Sequence, residues 1–590
     1  MILESRTEVA RFETTRRLLS HLVNEGLCSA FTGHEKDDDI EWLCLTGTNT
    51  DRNASPILKV QHIYPASLTI GDTGRVISLI RPHQLKPPVL LLDEGAQPHT
   101  ELDPGLIFKT LYPLFDLSHN ECLEEDIAQE LQNAAANQET WLNIQAQLPP
   151  LDLFSPAIDW ERTLITGHPT HPLHKTLTTQ PPLKPINPER IRDMLSPKII
   201  FLSVPRPQVR TSGPFEDLLN DLLAKLEITN YSEKRIIVPC LSQQIPSITS
   251  RFSGVHEIGF ARASAQASLR TVNLPSHLRF NYHLKLSLAC RITSALRTIT
   301  PWTALGGAEV SALLEKLLPP DLWVFKEIAA ATGAQANFDD AKHLSCIFRE
   351  DLELRANQQG EALIIASAFS QLPVPSINET QGGEKRKTHA ESQFPTRDKL
   401  EWFKRKYTKT LLTLLLPPLV NHGIALEAHG QNICVRICRS TRQIKGFAIR
   451  DFGGIRLHMP TLREQGFDKD IMRSIPPGAA TLTDDLSDVW SKTHHSLFQN
   501  HLGQLIVALG LDGRGGGGWG IVREEVQRIL CPAANGNGEG LIDAGCEERA
   551  RQLCGFLLGE TMPFKCFLRM RMEGKYRDYV ERQLPNVLLQ

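Results

Sequence analysis

A chain of 590 residues exceeds what one hydrophobic core organises and predicts about three or four domains. Its 41% hydrophobic and 22% charged residues match a soluble folded protein, and a net charge of −3 gives no overall basic field for nucleic acid or an anionic membrane. The N-terminal MILESRTEVARF lacks the apolar stretch of a signal peptide, and the most apolar run, Leu411 to Val420, is too short for a bilayer and holds two prolines.

The first predicted element is an amphipathic helix, with Phe12, Leu18, Leu19, Leu22 and Val23 on one stripe and Gly26 as its stop. Short strands are expected at Trp42–Leu45, Ile57–Ile63, Val76–Ile80 and Val89–Leu92, then helical pattern from Asp103 to Leu148. A proline-rich stretch, Pro149 to Pro156, closes a first domain of residues 1–150. Residues 151–372 mix strands and helices. Residues 373–398 are polar, rich in Pro, Gly and charge, and read as a linker or loop. The last domain, 399–590, opens with a helix. No repeat or heptad pattern is present. Twelve cysteines without a CxxC pair read as reduced thiols of a cytosolic enzyme rather than a disulfide framework.

Three constellations carry candidate chemistry. The first is TGHPTHPLHKT, Thr166 to Thr176. Pro169 and Pro172 exclude a helix interior, and a polyproline-like path would put His168, His171 and His174 on one face. Zinc sites enforce ligand geometry with patterns such as HExxH, which are absent here. A structured turn and an anion site remain open, since histidine, lysine and free backbone N–H groups donate together.

The second is SLRTVNLPSHLRFNYHLKLSLACRITSALRT, Ser268 to Thr298. Phe280, Tyr282, Leu284, Leu286 and Leu288 alternate with Arg279, Asn281, His283, Lys285 and Ser287, which predicts a strand with one buried and one polar face. A helix is expected to start near Thr293 and carry Arg297. Arg270, Lys285 and Arg297 beside Ser268 and Thr271 suit a triphosphate or tricarboxylate; a merely solvated face is the alternative. Neither Lys285 nor Arg297 lies on the apolar face, so losing either should leave thermal stability intact.

The third is ALEAHGQNICVRI, Ala425 to Ile437, followed by GFAIRDFGGIRL. Glu427, His429 and Gln431 are expected to share one strand face, with Asp451 at the end of the next strand. Two carboxylates and an amide oxygen form a hard-oxygen set suited to Mg²⁺ against phosphates; exposed carboxylates on an edge strand are the alternative. Asp451-Phe452-Gly453 spells a kinase motif, but no HRD loop accompanies it. GRGGGGWG, Gly513 to Gly520, follows a helix-like stretch and reads as a flexible loop rather than a dinucleotide site.

GHPTHPLHK at 167–175, SLRT at 268–271 with Lys285 and Arg297, EAHGQN at 427–432 and RDFGG at 450–454 together resemble the IucA/IucC-type, NRPS-independent siderophore synthetases. The last third resembles the FhuF-like segment of that family. The resemblance implies a multi-domain α+β fold, a cupped hand of thumb, fingers and palm with antiparallel sheets and helices. It implies a cytoplasmic ligase that adenylates a polycarboxylic acid such as citrate, releases pyrophosphate and passes the acyl group to an amine or hydroxyl, losing AMP. It assigns ATP to His168, Ser268, Arg270, Thr271, Lys285, Arg297 and Gln431, and Mg²⁺ to Glu427, Asn432 and Asp451. Arg270, Thr271, Arg297 and His429 would hold the acid's carboxylates, with His429, Arg297 and Lys285 catalytic. Partners would be the small-molecule acid and amine, with no nucleic acid or membrane, and a homodimer is compatible. Two departures stand out: the family's Arg and Gly after the motif lysine are Leu177 and Thr179 here, and the terminal PNPL is PNVL. The spacing of Cys531, Cys546, Cys554 and Cys566 is not that of an FhuF iron–sulfur site, so no [2Fe–2S] centre is expected. The alternatives are the same chemistry joining citrate or another dicarboxylic acid to an amine-bearing secondary metabolite, and a non-catalytic ferric-siderophore binder.

Overall fold

The computed structural model describes residues 3–34, 41–48, 55–64, 67–92, 97–117, 120–228, 232–371, 399–513, 517–531, 540–575 and 580–590. The expected linker at 373–398 lies outside them.

The first helix, Arg6–Asn24, is set by a capping box in which Ser5 and Glu8 satisfy each other's backbone N–H groups. It ends where Gly26 takes a left-handed φ of 66°. A five-stranded antiparallel meander follows, including Glu41–Thr46, Leu58–His62 and Leu85–Leu91. Two corrections apply. Val76–Ile80 forms only an isolated bridge from Val76 to Ile70, and Ser29–His34, too short and small to declare itself, is a strand. Helices Pro104–Leu111 and Glu121–Gln145 cover the sheet.

Among the described residues the middle of the chain builds three antiparallel sheets. In the six-stranded one, Tyr282–Leu286 lies between Thr271–Asn273 and Ser345–Glu350, with Glu327–Gly333 beyond. Thr271 is directly opposite Lys285. The expected 279–288 strand is shorter because Arg279 adopts a left-handed φ of 45° after a turn at Ser276–Leu278. Its polar face is not solvated: His283, Lys285 and Ser287 are all buried. The helix expected from Thr293 is instead a hairpin, Cys290–Ile292 with Ala295–Leu296, because Thr293 takes a left-handed φ of 62° incompatible with helix.

Strands from both sides of residues 373–398 share one four-stranded sheet. Leu322–Val324 pairs with Ile444–Ile449, then Ile433–Cys438, then Glu361–Ile365. Its apolar core runs from Leu322 and Ile364 through Leu416 and Phe447 to Leu588. The fold is α+β with mainly antiparallel sheets, as expected. GWG begins a helix, Gly518–Leu530, and a helix precedes the glycine loop at Gly503–Leu509. No described helix is long and apolar enough to cross a membrane. Cys531 and Cys554 form a disulfide, a correction to the all-thiol reading. It joins the ends of two packed helices, a spacing no CxxC search would detect.

Candidate active site

One cavity of about 880 Å³ gathers nearly all the predicted site residues. Three of the six described non-glycine residues with positive φ, Leu269, Thr293 and Asp451, line it. Such strained backbone concentrates where function demands a particular side-chain direction.

Lys285 occupies the floor. Its ammonium donates to Glu327 Oε1 at 3.0 Å and pairs with Asp451 Oδ1. Glu327 is 1% exposed, so Lys285 neutralises a buried charge. Removing it would strand that charge at a penalty of about 3–5 kcal/mol. The expectation that Lys285 is dispensable for stability is therefore corrected. Burial opposes ionisation of Asp451, but Lys285, Arg349 and Arg270 outweigh it and hold the carboxyl far below the usual range.

Arg297 stands on the hairpin. Its Nη2 donates to the Ile292 carbonyl at 3.3 Å, while its buried Nε has no hydrogen-bond partner. Arg270 Nη1 donates to the Arg297 carbonyl at 3.1 Å, which ties the two cations together. Ser268 lines the cavity, and its hydroxyl accepts the Thr271 N–H at 3.3 Å. Thr271 itself is 1% exposed and does not line the cavity. Its assignment as a phosphate and carboxylate ligand is corrected: it shares a sheet face with its ladder partner Lys285, but its shorter side chain is covered there and only the lysine reaches the cavity.

Glu427, His429 and Gln431 do line the cavity, but from an irregular turn rather than one strand face. Strand pairing stops at Ala425 and resumes at Ile433. The turn is held individually: Asn432 Nδ2 donates to the Glu427 carbonyl at 3.1 Å, Asn432 N–H to the His429 carbonyl, and Arg450 to the Gln431 carbonyl at 2.8 Å. Arg450 is in turn anchored by buried Glu161. Glu427 is paired with Lys492. Burial opposes its ionisation, but Lys492 and His429 hold the carboxyl at about 2. Burial pushes His429 down, with Glu427 acting the other way.

The three motif histidines do not share one face. His168 and His171 pack around Phe567, while His174 turns to Gln138 Oε1 at 3.2 Å. His168 Nδ1 accepts the His171 N–H at 3.1 Å, leaving Nε2 as the protonated nitrogen of a ring that burial keeps neutral. His168 is thus a neutral donor at the cavity wall.

A hard divalent cation fits the carboxylate wall. Glu427 and Asp451 are both held ionised, and the absence of a Cβ at Gly454 leaves the space beside Glu427 Oε2 that a side chain would fill. No three His, Cys, Asp or Glu side chains converge among the described residues, so water, phosphate and amide oxygens would complete the coordination.

Sequence reasoning missed Glu327, Lys492, His495 and Lys565. The last three line the cavity, His495 from a wide π-helical turn at His494–Leu502. The cluster Lys492-Thr493-His494-His495 was the available signal.

Packed antiparallel sheets and helices that set cationic and carboxylate side chains around one cavity define the class of the protein by fold and site. The comparisons resolve that class. The IucA / IucC family matches residues 254–371, and the ferric iron reductase FhuF-like transporter family matches residues 400–580. The NRPS-independent siderophore synthetase-like protein ankE of Aspergillus thermomutatus is 41% identical over 99% of this chain and 96% of its own. The NRPS-independent siderophore synthetase rfs of Rhizopus delemar is 31% identical over 80% of this chain and 72% of its own. Among solved structures, the petrobactin biosynthesis protein AsbB of Bacillus anthracis superposes with a TM-score of 0.76 at 16% identity, covering 99% of this chain and 96% of that one. The ATP-bound aerobactin synthetase IucA of Klebsiella pneumoniae gives 0.69 at 14% identity, covering 97% and 99%. This chain belongs to the IucA/IucC-type, NRPS-independent siderophore synthetase family.

Proposed function

We propose that the protein is an ATP-dependent ligase that activates a polycarboxylic acid, citrate or a close analogue, as an acyl-adenylate and transfers it to an amine. The observation that carries this is the convergence on one cavity of Arg270, Lys285 and Arg297 with the ionised Glu427 and Asp451. Family membership and relatives named staphyloferrin A synthase and D-ornithine–citrate ligase, each 55% covered on this chain, support it.

In the first half-reaction a carboxylate oxygen of the acid attacks the α-phosphorus, a new P–O bond forms and pyrophosphate leaves. Like charges must approach, so the rate depends on fixed positive charge. Arg270 and Arg297 present guanidinium forks to phosphate and carboxylate oxygens, and Lys285 adds a point charge. His168 and Ser268 donate neutral hydrogen bonds. His429 and Gln431, which line the cavity from the same turn as Glu427, would border the acid and the phosphates. Glu427 and Asp451, with Asn432 steadying the turn, would hold Mg²⁺, which supplies charge neutralisation on the phosphates. In the second half-reaction the amine nitrogen attacks the acyl carbon, a C–N bond forms, the C–O bond to AMP breaks and the amine proton leaves.

Pyrophosphate release dependent on ATP, Mg²⁺ and an acid tests the proposal. Citrate or an analogue should give it, and hydroxylamine should capture the adenylate as a hydroxamate. Absence of both across a panel of di- and tricarboxylic acids would contradict it.

A further inference from the structure

Among the described residues, nine lysine or arginine side chains line the cavity against two carboxylates, Glu427 and Asp451. Lys492 and Lys285 already engage both. On the ligase reading they are also the groups committed to the metal. A diamine or polyamine acceptor would carry a second ammonium into this cavity, where no described carboxylate of the protein is free to receive it. Burying an unpaired charge is strongly unfavourable.

The opposite charge finds a prepared place. Lys175 lines the cavity, where its ammonium lies 4.3 Å above the Trp141 ring and donates to the Leu164 carbonyl at 3.1 Å. Among the described residues no carboxylate pairs with it. Burial, aided by Arg17, pushes its pKa down to about 7, which an arriving anion would reverse. Beside it, Asn137 is 1% exposed and also lines the cavity. Both of its N–H groups are used, on Asn133 Oδ1 and the Lys175 carbonyl, each at 2.9 Å. Its Oδ1 is buried with no hydrogen-bond partner. A buried acceptor left unmade is costly and rare. A lysine with no carboxylate partner among the described residues and an unpaired amide oxygen, both on the cavity lining, complement a carboxylate and an N–H group on one molecule.

We propose that the acyl acceptor is an amine bearing a carboxylate, an amino acid rather than a polyamine, and that Lys175, Trp141 and Asn137 form the subsite that reads it. This rests on the ligase reading and specifies its second substrate. Lys175 recognises the carboxylate and Asn137 Oδ1 accepts an N–H. Trp141 supports the ammonium through its ring face.

The test uses amines in matched pairs that differ only by the carboxylate: L-ornithine with putrescine, L-lysine with cadaverine, and L-serine with ethanolamine. Hydroxylamine, which has no carboxylate, reports the first half-reaction separately, so failure of the ligase reading appears as no hydroxamate at all. With hydroxamate formed, the carboxylate member of a pair should be coupled with a kcat/KM about tenfold or more above its partner, the scale of one charge-assisted hydrogen bond. Lys175→Met should shrink that ratio to about twofold or less through KM, with Lys175→Arg retaining part of it. Pairs that do not couple are scored as competitors of hydroxylamine capture, where the carboxylate member must again win. Equal use or equal competition by the decarboxylated partners, or none by either, overturns the proposal on the unaltered enzyme, whatever the variants' folding. So does a Lys175→Met enzyme whose hydroxamate formation falls with that of the amino acids, since Lys175 would then serve the nucleotide.

Discussion

Lys285 and Glu427 face the same cavity and are held by opposite means. Lys285 projects from a strand paired on both sides, is 2% exposed and locks two carboxylates together. Glu427 projects from an irregular turn, its side chain 26% exposed, and relies on Lys492 and on hydrogen bonds to its backbone. Lys285 is part of the core, whereas Glu427 is draped over it. Charge buried in a ladder serves fold and site at once; charge on a turn can be changed with less consequence for the fold.

Lys285→Ala should break the comparison hardest. Adenylate formation is expected to fall by about 10²-fold or more. Stability should drop by about 3 kcal/mol or more in denaturant titration, because Glu327 loses its partner. The double variant Lys285→Met with Glu327→Gln should regain much of the stability and none of the activity. A single variant that melts like the parent would mean that Glu327 is not relying on Lys285.

Arg297 sharpens the point, because it is a cation lining the same cavity that neutralises no buried acid among the described residues. Arg297→Lys should lower pyrophosphate exchange by about tenfold to a hundredfold, since a point charge does not reproduce a bidentate fork. Its melting curve should overlay the parent's. A large fall in melting temperature would place Arg297 with Lys285 as a structural residue.

Glu427→Gln should weaken Mg²⁺-dependent nucleotide binding by at least about tenfold, roughly 1.4 kcal/mol, measured by calorimetry with and without Mg²⁺. The accompanying stability change should be the smaller one of the pair with Lys285→Ala. Unchanged binding would remove Glu427 from the metal set.

The smallest expected effect is in acid. The Glu427 carboxyl is held at about 2, below the ordinary carboxyl value of 4.5. A depressed folded pKa contributes stability that is complete above the ordinary carboxyl value and fades as pH falls through about 4.5 toward 2. Lys492→Met should lift the lower edge of that window, so acid unfolding begins at higher pH. An acid transition identical to the parent's would contradict the pairing.

The sequence made the landmarks legible and their supports invisible. Three of the four motifs located Lys285, Arg297, Glu427 and Asp451 because their residue types are unusual together, and all four residues line the cavity. Alternation placed Lys285 on a strand correctly. It misjudged the polar face as solvated because periodicity cannot tell water from a second buried layer. Glu327 was unreadable for that reason: it sits in an ordinary Ala-rich strand some forty residues further on, and only sheet order brings it to Lys285. The EAHGQN turn was read as a strand because Leu426 and Ala428 mimic its alternation, while its hydrogen bonds run to side chains and distant backbone. The hairpin at Arg297 was missed because a left-handed threonine leaves no mark in the sequence.

The most direct test of the account is ATP–pyrophosphate exchange with citrate and Mg²⁺, run beside a melting curve on the parent, Lys285→Ala and Arg297→Lys. Acid-dependent exchange in the parent is predicted, nearly lost in both variants, with only Lys285→Ala melting early. Exchange that ignores the acid, or that persists in both variants, would contradict the reading of this cavity as an adenylating site.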